Sequence, residues 1–154
     1  MKRISLIVFV MLFLLMDIPA LPALAAPKGY NKYGDLADEY YYDDLGLLAC
    51  VVQAEAGNQD LHGKELVADV VLNRMDNDRF PSTIKEIIFQ QNQFSTVTDG
   101  ALNKAYYTVT DECYQAVKNE IADRNDDSIL FFSAGGYSNY GNNAYKYGDH
   151  YFSR

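Results

Sequence analysis

The sequence predicts an α+β fold: a single, mostly helical domain with a small β-sheet late in the chain. Three observations carry this. Apolar residues recur at three- and four-residue spacing in two early runs, 45–56 and 62–75. The compact run Ile129-Leu-Phe-Phe132 lies between Asn125-Asp126-Asp127 and Gly135-Gly136, which reads as a strand between turns. The sequence has neither internal repeats nor a linker to a second domain.

The first 25 of the 154 residues read as a leader rather than as fold. Lys2-Arg3 is a basic start, Ile4–Met16 is apolar except for Ser5, and Ala23-Leu24-Ala25 is a small-x-small cleavage site. The apolar run is short for a membrane span, and Asp17, Pro19 and Pro22 interrupt its continuation, so no stable span is expected after cleavage. Net charge is −8; the leader holds Lys2, Arg3 and Asp17, a net of +1, so the mature chain is near −9. An acidic chain without a basic patch is a poor partner for nucleic acid or anionic lipid.

Residues 26–44 form a Tyr-rich lead-in, and 45–154 form the domain proper. Asp43 or Asp44 caps a first helix that runs to about Ala56. After the break Gly57-Asn58-Gln59-Asp60, a second helix spans about His62 to Met75, with Leu66, Val67, Val70 and Val71 as its buried stripe. Thr83 and Glu86 form a capping box for a short helix, 84–89. The polar stretch Gln90–Asn103, anchored by Phe94, Val97 and Leu102, reads as loop or short strand. Asp111 opens another helix, with Cys113, Val117 and Ile121 on one face. Gly136–Gly148 reads as loop, and His150-Tyr151-Phe152 as a last short strand.

Glu55 is the candidate acid. In a helix it shares a face with Leu48, Val51 and Val52, and an ionised carboxylate is costly to bury there. Desolvation and the negative end of a helix both raise a carboxyl pKa, which keeps the proton that a general acid must donate. The alternative is a Glu at a frayed helix end, pointing into water. Cys50, Cys113, His62 and His150 lack zinc-site spacing, so neither metal nor other cofactor is expected. Export permits a Cys50–Cys113 disulfide, but both residues also fit apolar faces as free thiols; sequence leaves this open. A thiol nucleophile at Cys50 paired with His150 is disfavoured by the mid-helix setting of Cys50.

Several ordered motifs are similar to one family. Ala54-Glu55-Ala56-Gly57-Asn58-Gln59, Gly63, and Ala68-Asp-Val-Val-Leu-Asn73-Arg74 resemble the bacterial cell-wall hydrolases that include the spore cortex-lytic enzymes. The resemblance continues through Phe80-Pro81-Ser-Thr83, Gln93-Phe94-Ser95, Phe131-Phe132 and Gly148-x-His150-x-Phe152, so it covers about 45–152. It implies a lysozyme-like or lytic-transglycosylase-like fold, peptidoglycan glycan strands as substrate, and Glu55 as the catalytic acid. Many relatives carry a Glu where this chain has Gln59, so the motif holds one carboxylate rather than two.

One acid and no partnered carboxylate fits lytic transglycosylation better than hydrolysis, which usually needs a second carboxylate. Asp60, Asp69, Asp99 and Asp111 read as caps, turn residues or solvated faces. Gln93, Phe94 and Ser95 are expected to line the cleft, with Phe94 equally readable as core. Asn73 is read as a structural or cleft contact, and Arg74 as a favourable charge at a helix C-terminus. His150 either lines the cleft or orients the chain end, and Tyr137 and Tyr140 are candidate sugar-stacking residues. Competing readings are a muramidase, or a sugar-binding wall or coat protein without catalysis. The lack of a wall-binding module leaves room for an accessory targeting protein.

Overall fold

The computed structural model describes residues 44–154; the leader and nearly all of the Tyr-rich lead-in lie outside the described residues. Six helices precede three strands: α1 (Asp44–Ala56), α2 (Leu61–Met75), α3 (Ile84–Ile88), α4 (Ser95–Thr98), α5 (Ala101–Thr108), α6 (Asp111–Ala122), β1 (Phe131–Ala134), β2 (Asn143–Tyr147) and β3 (His150–Ser153). The α+β expectation therefore holds, with the helices first and the sheet last.

The centre of the fold is α1. Leu47 through Val52 are all buried, on every side of the helix and not on one stripe. Five other helices, α2 through α6, pack around it. A helix apolar all round is a core helix, so α1 meets solvent mainly at its ends.

Capping residues define the surrounding helices. Asp60 accepts from Gly63 N at 2.9 Å to start α2. Thr83 accepts from Glu86 N, and its hydroxyl donates to Glu86 Oε2 at 2.8 Å, so the expected Thr–Glu pair does start α3. Thr110, the residue before Asp111, caps α6 through Cys113 N. The buried face of α6 is Cys113, Ala116, Val117 and Glu120, and Ile121 is more than half exposed, which corrects its expected place on that face.

The stretch 90–103 is neither strand nor simple loop. It holds α4 and the start of α5, separated by Gly100 at φ 85. Thr96, Val97 and Leu102 are buried, and their packing stabilises segments too short for a helical period to show.

The sheet is antiparallel in the order β1-β3-β2. Its strand β2 falls within the stretch read as loop. Phe132, Tyr145 and Phe152 align across the three strands and pack on Leu66, Val70 and Ile129, which seats the sheet on α2. A two-residue turn joins β2 to β3, with Gly148 at φ 52. A Cβ there would strike Gln59 Oε1. That close approach is a lock: Gln59 Nε2 and Asn58 Nδ2 donate to Asp149 Oδ2 at 2.8 and 3.1 Å, and Asp149 N donates back to Gln59 Oε1. Beside it, Tyr147 OH donates to Asp60 Oδ2 at 2.8 Å. The turn that follows Glu55 is thus tied to the far end of the sheet.

Asp69 is not a solvated face residue. It is fully buried beside Glu120, with Asp126 N donating to Oδ2 at 3.0 Å. Burial, then a hydrogen bond and charge from Glu120, push its carboxyl up to about 9, while Arg124, 4.0 Å away, acts in the opposite direction. Asp69 therefore keeps its proton.

Two outcomes follow from these packings. Gly148→Ala places a side chain at positive φ against Gln59 and is expected to cost about 1–2 kcal/mol or more, read as a lower urea midpoint. Between the ordinary 3.8 of an Asp and about 9, the folded state holds a proton on Asp69 that the unfolded chain releases. This contribution is complete below 3.8 and is lost as pH rises through the folded value, at up to about 1.4 kcal/mol per pH unit. Urea unfolding from pH 5 to 8 should show that fall, and Asp69→Asn should flatten it.

Candidate functional site

Glu55 lies in the last turn of α1, where the core helix emerges, and is half-buried. Its Oε1 accepts a 2.7 Å hydrogen bond from the hydroxyl of Thr96 on α4. Desolvation is the largest influence on its carboxyl and pushes the pKa up. The Thr96 bond opposes this by favouring the charged form, and the charge of Asp99 adds a smaller upward push. The result is a carboxyl inclined to keep its proton yet provided with a donor that steadies the carboxylate once the proton leaves.

α4 brings Thr96 to this position. Phe94 precedes the helix and is almost fully buried, packing on Phe132 at 6.1 Å between ring centroids. The exposed residues Gln93 and Ser95 flank it and are the members of this segment open to a ligand. Phe94 is a core anchor, so of its two expected places the core fits and the sugar face does not. Asp99 ends α4, and its Oδ1 accepts from Ala101 N at 2.8 Å. It has the turn role expected of it, but its charge also reaches Glu55.

Asn73 and Arg74 are structural. The Asn73 amide donates to the carbonyls of Asp126 and Ile129 at 2.7 and 2.9 Å, so both its hydrogens are spent on the chain entering β1. Of its two expected roles, these bonds fit the structural one and not a substrate contact. Arg74 is buried, donates through Nε to Leu130 O at 2.7 Å, and faces the rings of Phe80, Phe94 and Phe131 within 5.2–5.6 Å. Burial lowers its pKa to about 10. It stands in the last turn of α2, as expected, and also clamps α2, the entry to α4 and the sheet together.

His150 is buried between Phe132 and Phe152, with ring centroids 5.1 and 6.1 Å away, and burial lowers its pKa. Of its two expected roles, this packing fits the one that orients the chain end. Tyr137 rests edge-on against Tyr151, and the well-exposed Tyr140 stacks on Phe131. Both belong to the sheet end of the molecule.

Cys50 and Cys113 are free and buried. The thiol of Cys50 is pushed up to about 11 by burial and by Cys113, which leaves it unreactive as a nucleophile. Among the described residues no group of three or more His, Cys, Asp or Glu is placed to hold a metal ion, and no helix is long and apolar enough to cross a membrane.

Sequence reasoning missed Thr96, the residue that touches Glu55. Its signal was adjacency to Gln93-Phe94-Ser95, but a lone Thr in a polar stretch carries no pattern of its own. The lock partner Asp149 was also missed, because its contacts are about 90 residues away in sequence.

Comparison with known proteins matches this architecture. The cell wall hydrolase family model matches residues 58–153, beginning just after Glu55. The spore cortex-lytic enzyme of Oceanobacillus iheyensis is 28% identical over 119 residues, covering 76% of this chain and 38% of the relative. That of Bacillus cereus is 30% identical over 105 residues, covering 67% and 39%. The chain thus spans under two fifths of the length of these relatives. Among solved structures, the catalytic domain of the Bacillus cereus SleB protein superposes with a TM-score of 0.63 at 27% identity, covering 72% of this chain and 89% of that one. The catalytic domain of the germination-specific lytic transglycosylase SleB from Bacillus anthracis gives the same TM-score and identity, covering 76% and 98%. With the family model spanning most of the described residues and the helices and sheet superposing on these domains, the chain belongs to the cell wall hydrolase family.

Proposed function

We propose that this protein cleaves peptidoglycan glycan strands between N-acetylmuramic acid and N-acetylglucosamine by lytic transglycosylation, with Glu55 as general acid and then general base. The observation that carries this reading is the state of Glu55: half-buried, raised in pKa chiefly by desolvation, and hydrogen-bonded to the neutral hydroxyl of Thr96. The structural neighbour from Bacillus anthracis is a lytic transglycosylase, which supports the same chemistry.

In this reading the protonated Glu55 donates to the glycosidic oxygen as the C1–O bond breaks. The muramic acid C6 hydroxyl then attacks C1, and its proton returns to Glu55. The product is a 1,6-anhydro-muramyl end, with no water consumed. Internal attack has a high effective molarity, so a second carboxylate is not required. Gln93 and Ser95 are the proposed glycan contacts, and Tyr137 and Tyr140 a more distant stacking surface. The chain would act outside the cytoplasm, on cortex or vegetative wall, after loss of residues 1–25, with or without an accessory targeting protein.

One observation favours a second reading. Asp99 is a carboxylate whose charge reaches Glu55, and a muramidase would use such a group to activate water.

Mass spectrometry of vegetative and cortex peptidoglycan after digestion distinguishes these readings. Anhydro ends are expected from the native chain. Glu55→Gln should lower the rate by about 10²-fold or more. Reducing ends abolished by Asp99→Asn would establish hydrolysis instead, and no cleavage of either substrate would leave a sugar-binding protein. Because burial holds the Glu55 pKa up, the acid form persists to higher pH than in an exposed Glu. Activity should therefore fall on the alkaline side, as pH rises through that value, and a fall confined to the acid side would contradict the assignment.

A further inference from the structure

We propose that Thr96 is the positioning residue for Glu55: its hydroxyl fixes which carboxyl oxygen delivers the proton and holds the carboxylate in place after delivery. This rests on the reading of Glu55 as the acid.

The geometry supports it at each step. A threonine hydroxyl has one hydrogen, and this one is given to Glu55 Oε1 at 2.7 Å. An oxygen accepting a short hydrogen bond is the poorer place for a proton, so the proton resides on Oε2. In the acid step the Oε2–H bond breaks and the hydrogen bonds to the glycosidic oxygen, whose bond to C1 breaks with the electron pair left on that oxygen. The new negative charge on Glu55 is then met by the Thr96 donor, which strengthens as its acceptor becomes ionised. In the return step Oε2 takes the proton of the C6 hydroxyl as that oxygen bonds to C1, which restores the starting state.

The donor is held rigidly. Thr96 is itself buried and β-branched, which restricts its χ1. Its neighbours Phe94 and Val97 are buried in the same core as α1. Thr98 Oγ1 and Asp99 N both donate to Ser95 O, closing the single turn of α4. Arg74 lies over the Phe94 ring and so braces the entry to that turn. The groups acting on Glu55 from this segment are then opposed: the Thr96 hydroxyl favours the charged form, and Asp99 disfavours it. Thr96→Val keeps the shape and removes the donor; Thr96→Ser keeps the donor.

The test uses the full chain and two readouts. The first is the kcat and KM pH profile for peptidoglycan cleavage. The second is the Glu55 side-chain carboxyl titration by ¹³C NMR, assigned with Glu55→Gln. For Thr96→Val we expect kcat to fall about tenfold with KM little changed, the alkaline limb to move to higher pH, and the carboxyl titration to move in the same direction. Thr96→Ser should restore all three to within about threefold or to the native position. Should Thr96→Val not fold, as judged by circular dichroism, Thr96→Ala is read in the same way. A folded variant lacking the hydroxyl whose Glu55 titration and pH profile stay in place overturns the proposal, as does failure of a folded Thr96→Ser to rescue. If the native chain cleaves nothing, the functional reading falls on its own. The carboxyl titration still decides whether Thr96 controls Glu55, and an unmoved titration overturns that control.

Discussion

The burial of α1 on all sides is the constraint on which the rest depends. A helix with Leu47 through Val52 entirely enclosed cannot present a functional face along its length. It can present only its end. The five helices packed around it set where that end emerges, and Glu55 stands in the last turn. Glu55 is therefore carried by the most enclosed helix of the domain, while its hydrogen-bond donor Thr96 arrives on α4, a four-residue helix anchored by Phe94 and Val97. Rigid support beneath a catalytic group is what keeps its geometry within the narrow range that chemistry tolerates.

The interior contains more charge than an apolar core would suggest, and each charge is handled differently. Asp69 is held protonated by its burial and by Glu120 beside it. Arg74 is accommodated by a carbonyl and three aromatic faces, where a guanidinium is weakly hydrated and stacks well. Glu55, at the boundary, is pushed toward its protonated form by desolvation while the Thr96 hydroxyl pulls the other way. Its position at the end of the core is what separates it from Asp69, which no ligand can reach.

Much of this was legible in the sequence. The two long helices, the Thr83 start of α3 and the last strand follow from period, caps and turns, because those signals are local. The position of Glu55 at the end of the first helix was also legible, although the stripe argument was only partly right: α1 has no polar face, and what marks Glu55 is its place where the apolar run stops. The helix α4 and the strand β2 were hidden for physical reasons. Four residues are too few to show a helical period, and Asn143–Tyr147 has loop composition but is held by pairing to β3. The roles of Asn73, Arg74 and Phe94 depend on partners 20 to 57 residues away, which no window along the chain can contain.

The lock between Gln59 and Asp149 joins residues 90 apart, and so places the first described helix and the last strand in one cooperative unit. Closing a loop of that length costs on the order of 4 kcal/mol in chain entropy, so the contact exists only while the sheet is seated on α2. Partial opening at the C-terminal strand releases Asn58 and Gln59 together, and with them the turn that ends the helix bearing Glu55. In the language of local unfolding, the carboxyl-terminal hairpin and the turn after Glu55 belong to a single foldon, and amide exchange at the one end reports on order at the other.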